Sequence, residues 1–290
     1  MFDGSATRTL LVTLLLCSAA FAASGDQVER GKYLIHAGGC ITCHTEDAEG
    51  AVPLSGGRVL DSPYGIFYSP NITPDKATGI GNWSDAEFVR AFHDGRNPDG
   101  EAYYPAFPYT AYTGMTRADI LDIKAYLFSL APVTKQNREH ELPFYMSSRL
   151  AAKAWQASYF TAARFAPDPQ KSASWNRGAY LVRHLGHCGE CHTPRGRLGV
   201  LIHDRELAGN PDGPDDGSVP NITPDKKDGI GRWSLRDIEY FLDIGMEPDG
   251  DFSGGAMAPV IEDNTSQLTN ADRLAIATYL QALPPLPDEE

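Results

Sequence analysis

The chain has 290 residues, with 25 Lys and Arg against 38 Asp and Glu, which gives a formal net charge of −13 at pH 7. This acidic balance argues against non-specific binding of nucleic acid, which needs a basic face. Hydrophobic residues make up 42% of the chain, enough for packed cores, so a disordered chain is excluded. At about 100–150 residues per domain, the length suggests two domains. The five cysteines are an odd number, which leaves one thiol to explain in an exported protein.

Residues 1–22 are typical of a secretory signal peptide. An apolar run follows Arg8 and ends in an A-x-A cleavage signal at 20–22. The alternatives are an N-terminal membrane anchor, for which the apolar run is short, and a lipoprotein acylated at Cys17. We expect cleavage before Ala23, after which no segment of the sequence is long and apolar enough to cross a membrane. The mature protein is therefore expected in the periplasm.

The remainder of the sequence repeats one module. Three segments of the first half return almost unchanged in the second: C-I-T-C-H at 40–44 returns as C-G-E-C-H at 188–192, N-I-T-P-D-K at 71–76 returns at 221–226, and G-I-G-x-W-S at 79–84 returns at 229–234. Each copy ends in a helical pattern that follows a threonine, Thr116 or Thr269. We therefore predict two domains, at 23–132 and 177–290.

Both modules are predicted to be mainly helical. Helical spacing of apolar residues and N-capping residues predict helices at 26–37, after Ser84 and after Thr116, and again at 177–185, after Ser234 and after Thr269. Residues 133–176 connect the modules and contain a helical apolar pattern at 147–160, which indicates a packed connector rather than a flexible tether. The loops are rich in turn signals, and strand patterns are scarce.

The C-x-x-C-H pattern, which occurs once in each module, is the attachment signal for c-type haem. Its two thiols reach the two vinyl groups of one porphyrin, and the adjacent histidine binds the iron. The residues concerned are Cys40, Cys43 and His44 in the first module and Cys188, Cys191 and His192 in the second. Two disulfides or one Cys₄ zinc site are the alternatives, but zinc would leave both histidines unexplained. The sequence therefore predicts two covalently bound haem c groups. Because Cys17 leaves with the signal peptide, no free thiol should remain.

The second axial ligand of each iron sets its redox behaviour, and methionine raises the potential relative to a second histidine. Met257 lies in a loop before the last helix of the second module, where the chain can fold over the open face of the haem; Met246 is a less favoured substitute. The equivalent position in the first module is Phe107, whose ring cannot bind iron. Met115 is the nearest replacement, His93 is the runner-up, and an iron with an open sixth position is the third possibility.

His36 and His184 occupy equivalent positions, each about one helical turn before the first haem cysteine of its module. Either side chain could pack over the haem edge or hydrogen-bond a haem propionate. Each could equally be an ordinary residue on a helix face. The sequence leaves these readings open.

Further stretches outside the haem motifs carry a family resemblance: Y-P-A-F-P-Y at 104–109, W-N-R-G-A-Y-L at 175–181, G-A-M at 255–257 and the two N-I-T-P-D loops. On these residues the chain resembles the cytochrome c subunits of periplasmic alcohol, gluconate and fructose dehydrogenases, and more closely their dihaem relatives. The resemblance implies class I cytochrome c folds, covalent haems with His/Met ligation, and electron relay from a catalytic subunit towards quinone or a terminal oxidase. Three-haem members continue into a third module, so we expect a soluble carrier or a subunit held by its partner.

The function expected from these features is periplasmic electron transfer by two haems. The protein would accept electrons from a dehydrogenase and pass them to another cytochrome, an oxidase or a quinone-linked chain, without substrate chemistry of its own. The alternative is a dihaem redox enzyme of the peroxidase or thiosulfate-oxidising type. The Phe107 departure keeps the peroxidase open, whereas the thiosulfate type needs a cysteine on iron, and no spare cysteine remains in the mature chain. A haem-based sensor is a third reading that no output domain supports. The acidic surface would steer basic partners in a salt-dependent way.

Overall fold

The computed structural model of the protein describes residue 1, residues 23–213 and residues 217–288. The predicted signal peptide, with Cys17, falls outside the described residues apart from residue 1. We call residues 23–132 the first half, 133–172 the joining segment and 173–288 the second half. Within the described part the fold is mainly helical, as the sequence predicts.

The helices follow one another in the same order in both halves. The first half contains α1 (Gly25–Ala37), α2 (Cys40–His44), α3 (Asp85–Asp94), α4 (Tyr109–Tyr112) and α5 (Arg117–Ser129), and the joining segment contains α6 (Arg149–Tyr159). The second half contains α7 (Ala173–Tyr180), a π-helical turn (Leu181–Leu185), α8 (Gly189–His192), α9 (Leu235–Ile244), α10 (Met257–Asp263) and α11 (Asn270–Leu280), with 3₁₀ turns at His203–Arg205 and Thr265–Gln267. The short strands β1 (Val59–Leu60) and β2 (Phe67–Tyr68) pair antiparallel, with Val59 opposite Tyr68.

The helix starts lie where the capping residues predict them. Ser84 and Glu87 form a capping box at α3, and Ser234 and Asp237 form the equivalent box at α9. In each box the serine hydroxyl accepts from the backbone N–H three residues on, while the acidic side chain accepts from the serine N–H. Thr116 and Thr269 cap α5 and α11 through the hydroxyl alone, which accepts from the backbone N–H three residues on. A cap of this kind contributes about 0.5–2 kcal/mol to helix stability.

The first and last helices of each half cross at a glycine. A Cβ atom added to Gly31 would lie 1.9 Å from the carbonyl oxygen of Asp122, and one added to Gly178 would lie 2.0 Å from that of Ala275. Any side chain at these positions would therefore push α1 away from α5, or α7 away from α11. The close crossing explains why both modules carry glycine there.

The first helix of the second half differs from its counterpart by one residue. Two residues separate Tyr33 from His36 in α1, whereas three separate Tyr180 from His184. The additional residue lies in the π-helical turn, which is closed by a hydrogen bond from Gly186 N to the Leu181 carbonyl (2.7 Å). Because a π turn holds one residue more than an α turn, it absorbs the insertion and keeps the following cysteines in register. The prediction of one regular helix over 177–185 was wrong here, and α7 also begins earlier, at Ala173.

The joining segment contacts both halves. The buried Gln156 side chain of α6 donates to the carbonyls of Asp94 (3.0 Å) and Gly95 (3.1 Å) at the end of α3. Its neighbour Trp155 donates from Nε1 to the carbonyl of Leu198 in the second half (2.7 Å). Buried side chains from both halves form one continuous apolar cluster. The interior therefore runs without a break from one half to the other.

Candidate functional site

Each C-x-x-C-H segment forms one helical turn. α2 contains all of the first segment, and α8 contains the second except Cys188, which is its N-cap. A single turn brings side chains three positions apart onto one side of the helix, so the two thiols of each motif face the same way. All four cysteines of the described residues are free thiols. Burial raises the pKa of Cys40 and of Cys188 to about 12, which keeps both thiols protonated at neutral pH.

The histidine of each motif is oriented by a backbone carbonyl. His44 Nδ1 lies 2.8 Å from the carbonyl oxygen of Pro70, and His192 Nδ1 lies 2.8 Å from that of Pro220. Because a carbonyl can only accept, Nδ1 carries the hydrogen and Nε2 keeps its lone pair. Burial lowers the pKa of both imidazoles, against the opposing effect of these hydrogen bonds. A neutral imidazole with a free Nε2 and a fixed Nδ1–H is the form that binds a metal.

The accepting prolines are held in place by the residue that follows them. Asn71 donates from Nδ2 to the carbonyl of Val133, and Asn221 donates to that of Leu286, both over 2.7 Å. Each asparagine also accepts, through Oδ1, from the backbone N–H of the threonine two residues on (2.9 Å in both halves). These bonds tie the loop behind each histidine to the chain after the last helix of the same half.

The surroundings of the two histidines are compatible with a bound cofactor. Desolvation lowers the pKa of His44 and of His192, yet both residues remain partly exposed. Cys191 is exposed, and desolvation raises its pKa to about 11. Two thiols and a neutral imidazole on one helical turn match the chemistry of covalent haem attachment.

The predicted distal residues lie in different surroundings. Met115 is fully buried, and its carbonyl accepts a hydrogen bond from His93 Nε2 (2.9 Å). That hydrogen bond occupies Nε2 of His93, which the sequence offers as the second candidate for the distal ligand. Phe107 packs against three other aromatic rings in the first half. Met257 is half-buried and begins α10, which contacts α9 of its own half and α2 of the first half.

The two histidines left open by the sequence connect the halves. His36 Nδ1 lies 2.7 Å from the carbonyl oxygen of Asp263, which ends α10. Reciprocally, His184 Nδ1 lies 3.0 Å from that of Ala111 in α4. Each histidine therefore fixes the segment near the predicted methionine ligand of the opposite half. Neither reading offered by the sequence, a haem-edge contact or a plain helix-face residue, includes this role.

The third residue of each haem motif makes a similar reciprocal contact. Thr42 donates from its hydroxyl to Asn264 Oδ1 (3.1 Å) in the second half, and Thr110 of the first half donates to Glu190 Oε1 (2.8 Å). Glu190 also accepts from Arg195 Nη2 (2.5 Å). The two attachment turns are thus connected to the opposite half at equivalent positions.

A tyrosine–aspartate pair completes the reciprocal contacts. Tyr33 of α1 donates to Asp272 of α11 (2.6 Å), and Tyr180 of α7 donates to Asp119 of α5 (2.5 Å). Asp272 is also held by Arg177 of its own half, through Nε (2.8 Å) and Nη2 (2.6 Å). The two halves are therefore related, at these contacts, as by an approximate two-fold axis that passes near the haem motifs.

The sequence analysis did not identify these interface residues, although the repeat contains a signal for them. A polar residue at the same helical position of both copies is unusual on a buried face. His36 and His184, or Tyr33 and Tyr180, are such pairs. The repeat marks the positions but does not show that their partners lie in the other copy.

Comparison with known proteins agrees with this geometry. The family model named Cytochrome c matches residues 28–131. A diheme cytochrome c-type protein of Cereibacter sphaeroides is 42% identical over 272 residues, covering 91% of this chain and 88% of the relative. The chain belongs to the cytochrome c family. As a cytochrome c it is expected to carry haem c and to transfer electrons, which agrees with the two C-x-x-C-H turns.

Two further relatives of this cytochrome are dehydrogenase subunits. The fructose dehydrogenase cytochrome subunit of Gluconobacter japonicus is 39% identical over 91% of this chain, and the gluconate 2-dehydrogenase cytochrome c subunit of Pantoea cypripedii is 36% identical over 94%. The resemblance to dehydrogenase cytochrome subunits is therefore confirmed. The chain spans 54% and 64% of the lengths of these two relatives.

Two features are absent from the described residues of this cytochrome. Over 23–213 and 217–288, no helix is long and apolar enough to cross a membrane. Over the same ranges, no group of three or more His, Cys, Asp or Glu side chains is arranged to hold a metal ion by itself.

Proposed function

We propose that this cytochrome binds two haem c groups in two tandem class I cytochrome c domains, at 23–132 and 177–290, joined by a packed helical connector at 133–176. Its function would be electron transfer, without substrate chemistry of its own. The observation that carries this proposal is the matched pair of oriented histidines, since His44 with Pro70 and His192 with Pro220 have the same geometry in both halves.

The roles of individual residues follow from their positions. Cys40 and Cys43 would form thioether bonds to the first haem, and His44 would be its proximal ligand; Cys188, Cys191 and His192 would do the same for the second. Met115 and Met257 are the proposed distal ligands. Met115 is fully buried, so its thioether would be shielded from water if it bound the first iron.

When bound, haem supplies reversible one-electron chemistry. The protein residues contribute fixed positions and a controlled environment. The Pro70 and Pro220 carbonyls hold the proximal imidazoles in one orientation and one tautomer. Ligand identity and burial then set the reduction potential. Residues that do not move during electron transfer keep the cost of reorganising the site small.

The proposed electron donor is a periplasmic dehydrogenase, as the relatives named for gluconate and fructose dehydrogenases suggest. The acceptor would be another cytochrome, an oxidase or a quinone-linked chain. A net charge of −13 favours a basic docking face on the partner, so association should weaken as salt increases. The periplasm is the proposed location, since covalent haem attachment takes place outside the cytoplasm.

Haem counting tests the proposal directly. The full chain is produced in a host that exports proteins and attaches haem, and the haem-to-protein ratio is measured by pyridine haemochrome and intact mass. We expect two haems in the wild type and one in each of two matched variants, Cys40→Ala/Cys43→Ala and Cys188→Ala/Cys191→Ala. A wild-type protein with a single haem, or variants that lose none, would contradict the proposal.

Ferric spectra distinguish electron transfer from the enzymatic alternative. Two low-spin haems agree with two closed sites, as proposed. A high-spin haem that turns over peroxide would support the dihaem peroxidase. The Met257→Ala variant serves as the positive control, because it should open the second site and give a high-spin signal.

A further inference from the structure

One backbone position shared by both haem motifs has an unusual conformation. The residue before the first cysteine has a positive φ in each half: 66° at Gly39 and 40° at His187. Glycine adopts this left-handed region freely, whereas another residue pays about 1–2 kcal/mol for it. Glycine would therefore serve equally well at 187, and the histidine side chain needs a separate explanation.

The side chain of His187 reaches the other haem motif. Its Nε2 lies 3.3 Å from the carbonyl oxygen of Gly38, two residues before Cys40. The same carbonyl accepts a hydrogen bond from the hydroxyl of Tyr112 (2.8 Å). The imidazole and the Tyr112 ring form a T-shaped contact with their centroids 5.3 Å apart. Since the Gly38 carbonyl can only accept, Nε2 of His187 is the donor.

The glycine in the first half makes room for this histidine. A Cβ atom at Gly39 would lie 3.6 Å from Nε2 of His187 and 3.5 Å from Nδ2 of Asn264. A side chain longer than a methyl group would meet the imidazole. The two equivalent positions thus face each other near the approximate two-fold axis, where space exists for one ring but not for two.

We propose that His187 is a positioning residue that fixes the spacing of the two haem-attachment motifs and so sets the rate of electron exchange between the two haems. The inference rests on the proposed function. The exchange moves one electron, so that one iron is oxidised as the other is reduced, and no proton is transferred. The hydrogen bond to Gly38 gives a short bonded connection from Cys188 through His187 to the chain that leads to Cys40.

The test uses the His187→Gly variant of the two-haem protein. After partial photoreduction, transient absorption follows the redistribution of the electron between the haems. We expect the rate to fall several-fold. Because glycine relieves the left-handed strain while one hydrogen bond is lost, the thermal midpoint should stay close to that of the wild type. The His187→Gln variant, whose amide can still donate to Gly38, should recover most of the rate.

The Tyr33→Phe variant is the matched control. It removes a hydrogen bond to Asp272 across the same interface without touching Gly38 or the segments beside the proposed methionine ligands. Its exchange rate should stay close to that of the wild type. An unchanged rate in His187→Gly, or an equal fall in Tyr33→Phe, would overturn the assignment. Failure of the proposed function would be recognised separately, because the wild type would then contain fewer than two haems.

Discussion

Replacing Asp272 by Asn is expected to destabilise the protein substantially, although the change removes no carbon atom. The carboxylate is buried and accepts two hydrogen bonds from Arg177 and one from Tyr33 of the opposite half. Burial alone raises the pKa of Asp272, but these hydrogen bonds outweigh it and hold the pKa below its ordinary value of 3.8. The folded state therefore favours the charged form.

The expected loss follows from the kinds of bond involved. Hydrogen bonds to a charged group contribute about 1.5–3 kcal/mol each, compared with about 1 kcal/mol for neutral pairs. Asn keeps one acceptor oxygen, but its NH₂ group replaces the other and faces a donor of Arg177 or Tyr33. Because the Arg177 side chain is partly exposed and can be hydrated, we expect Asp272→Asn to lower the free energy of unfolding by about 3 kcal/mol. Tyr33→Phe, which removes one of the three bonds, should cost about 1.5 kcal/mol.

The pH dependence gives this prediction a second readout. A carboxyl group with a depressed pKa stabilises the folded state above its unfolded pKa and loses that contribution as the pH falls through the folded value. The difference between wild type and Asp272→Asn should therefore be complete well above pH 3.8 and should shrink below it. Denaturant unfolding of the haem-loaded protein at several pH values measures it. A difference under about 0.5 kcal/mol at pH 7, or one that does not change in acid, would refute the reasoning.

Three further outcomes are expected. Met115→Leu keeps the buried volume, so the free energy of unfolding should fall by less than about 1.5 kcal/mol, while the first haem becomes high-spin in the ferric spectrum; an unchanged spectrum would exclude Met115 as its ligand. Gly31→Ala should cost at least about 2 kcal/mol in denaturant unfolding because its methyl group would overlap a backbone carbonyl, whereas Gly25→Ala, which meets nothing within 4 Å, should be neutral. Asn221→Ala should cost about 2 kcal/mol and broaden the spectrum of the second haem, since it frees the loop behind His192; an unchanged spectrum would argue against that role.

Much of the helical framework could be predicted from local signals. Ser84 and Ser234, each with an acidic residue three positions on, fixed the starts of α3 and α9, and the threonines did the same for α5 and α11. These predictions succeed because a cap depends on neighbours within one turn. The start of α7 at Ala173 was missed, although Ser172 caps it. Its tryptophan and polar residues lack the strong apolar period on which the prediction relied.

Sequence reasoning about the candidate site was similarly uneven. The C-x-x-C-H pattern identifies the two candidate segments, because covalent haem attachment requires those residues in that spacing. The bond from His44 to Pro70 was not predicted, since it joins residues separated by a long loop. The equivalent bond from His192 to Pro220 recurs in the second half. A proline just before each N-I-T turn was the signal, and the repeat displays it in both halves.

The interface between the halves illustrates how far an internal repeat can inform a structure. Two copies that fold separately need matching residues only for their own cores and sites. Here matching polar residues form hydrogen bonds with the opposite half. Examples are His36 with its counterpart His184, and Tyr33 with its counterpart Tyr180. Residues related by a two-fold axis make the same contact twice. A polar residue present at the same position of both halves therefore contributes two hydrogen bonds to the interface. A polar residue retained on the apolar side of both first helices therefore indicates an interface between copies. Gly39 and His187 depart from this matching, since they are equivalent positions with different residues. They face each other near the approximate axis, where there is room for one of the two side chains but not for both.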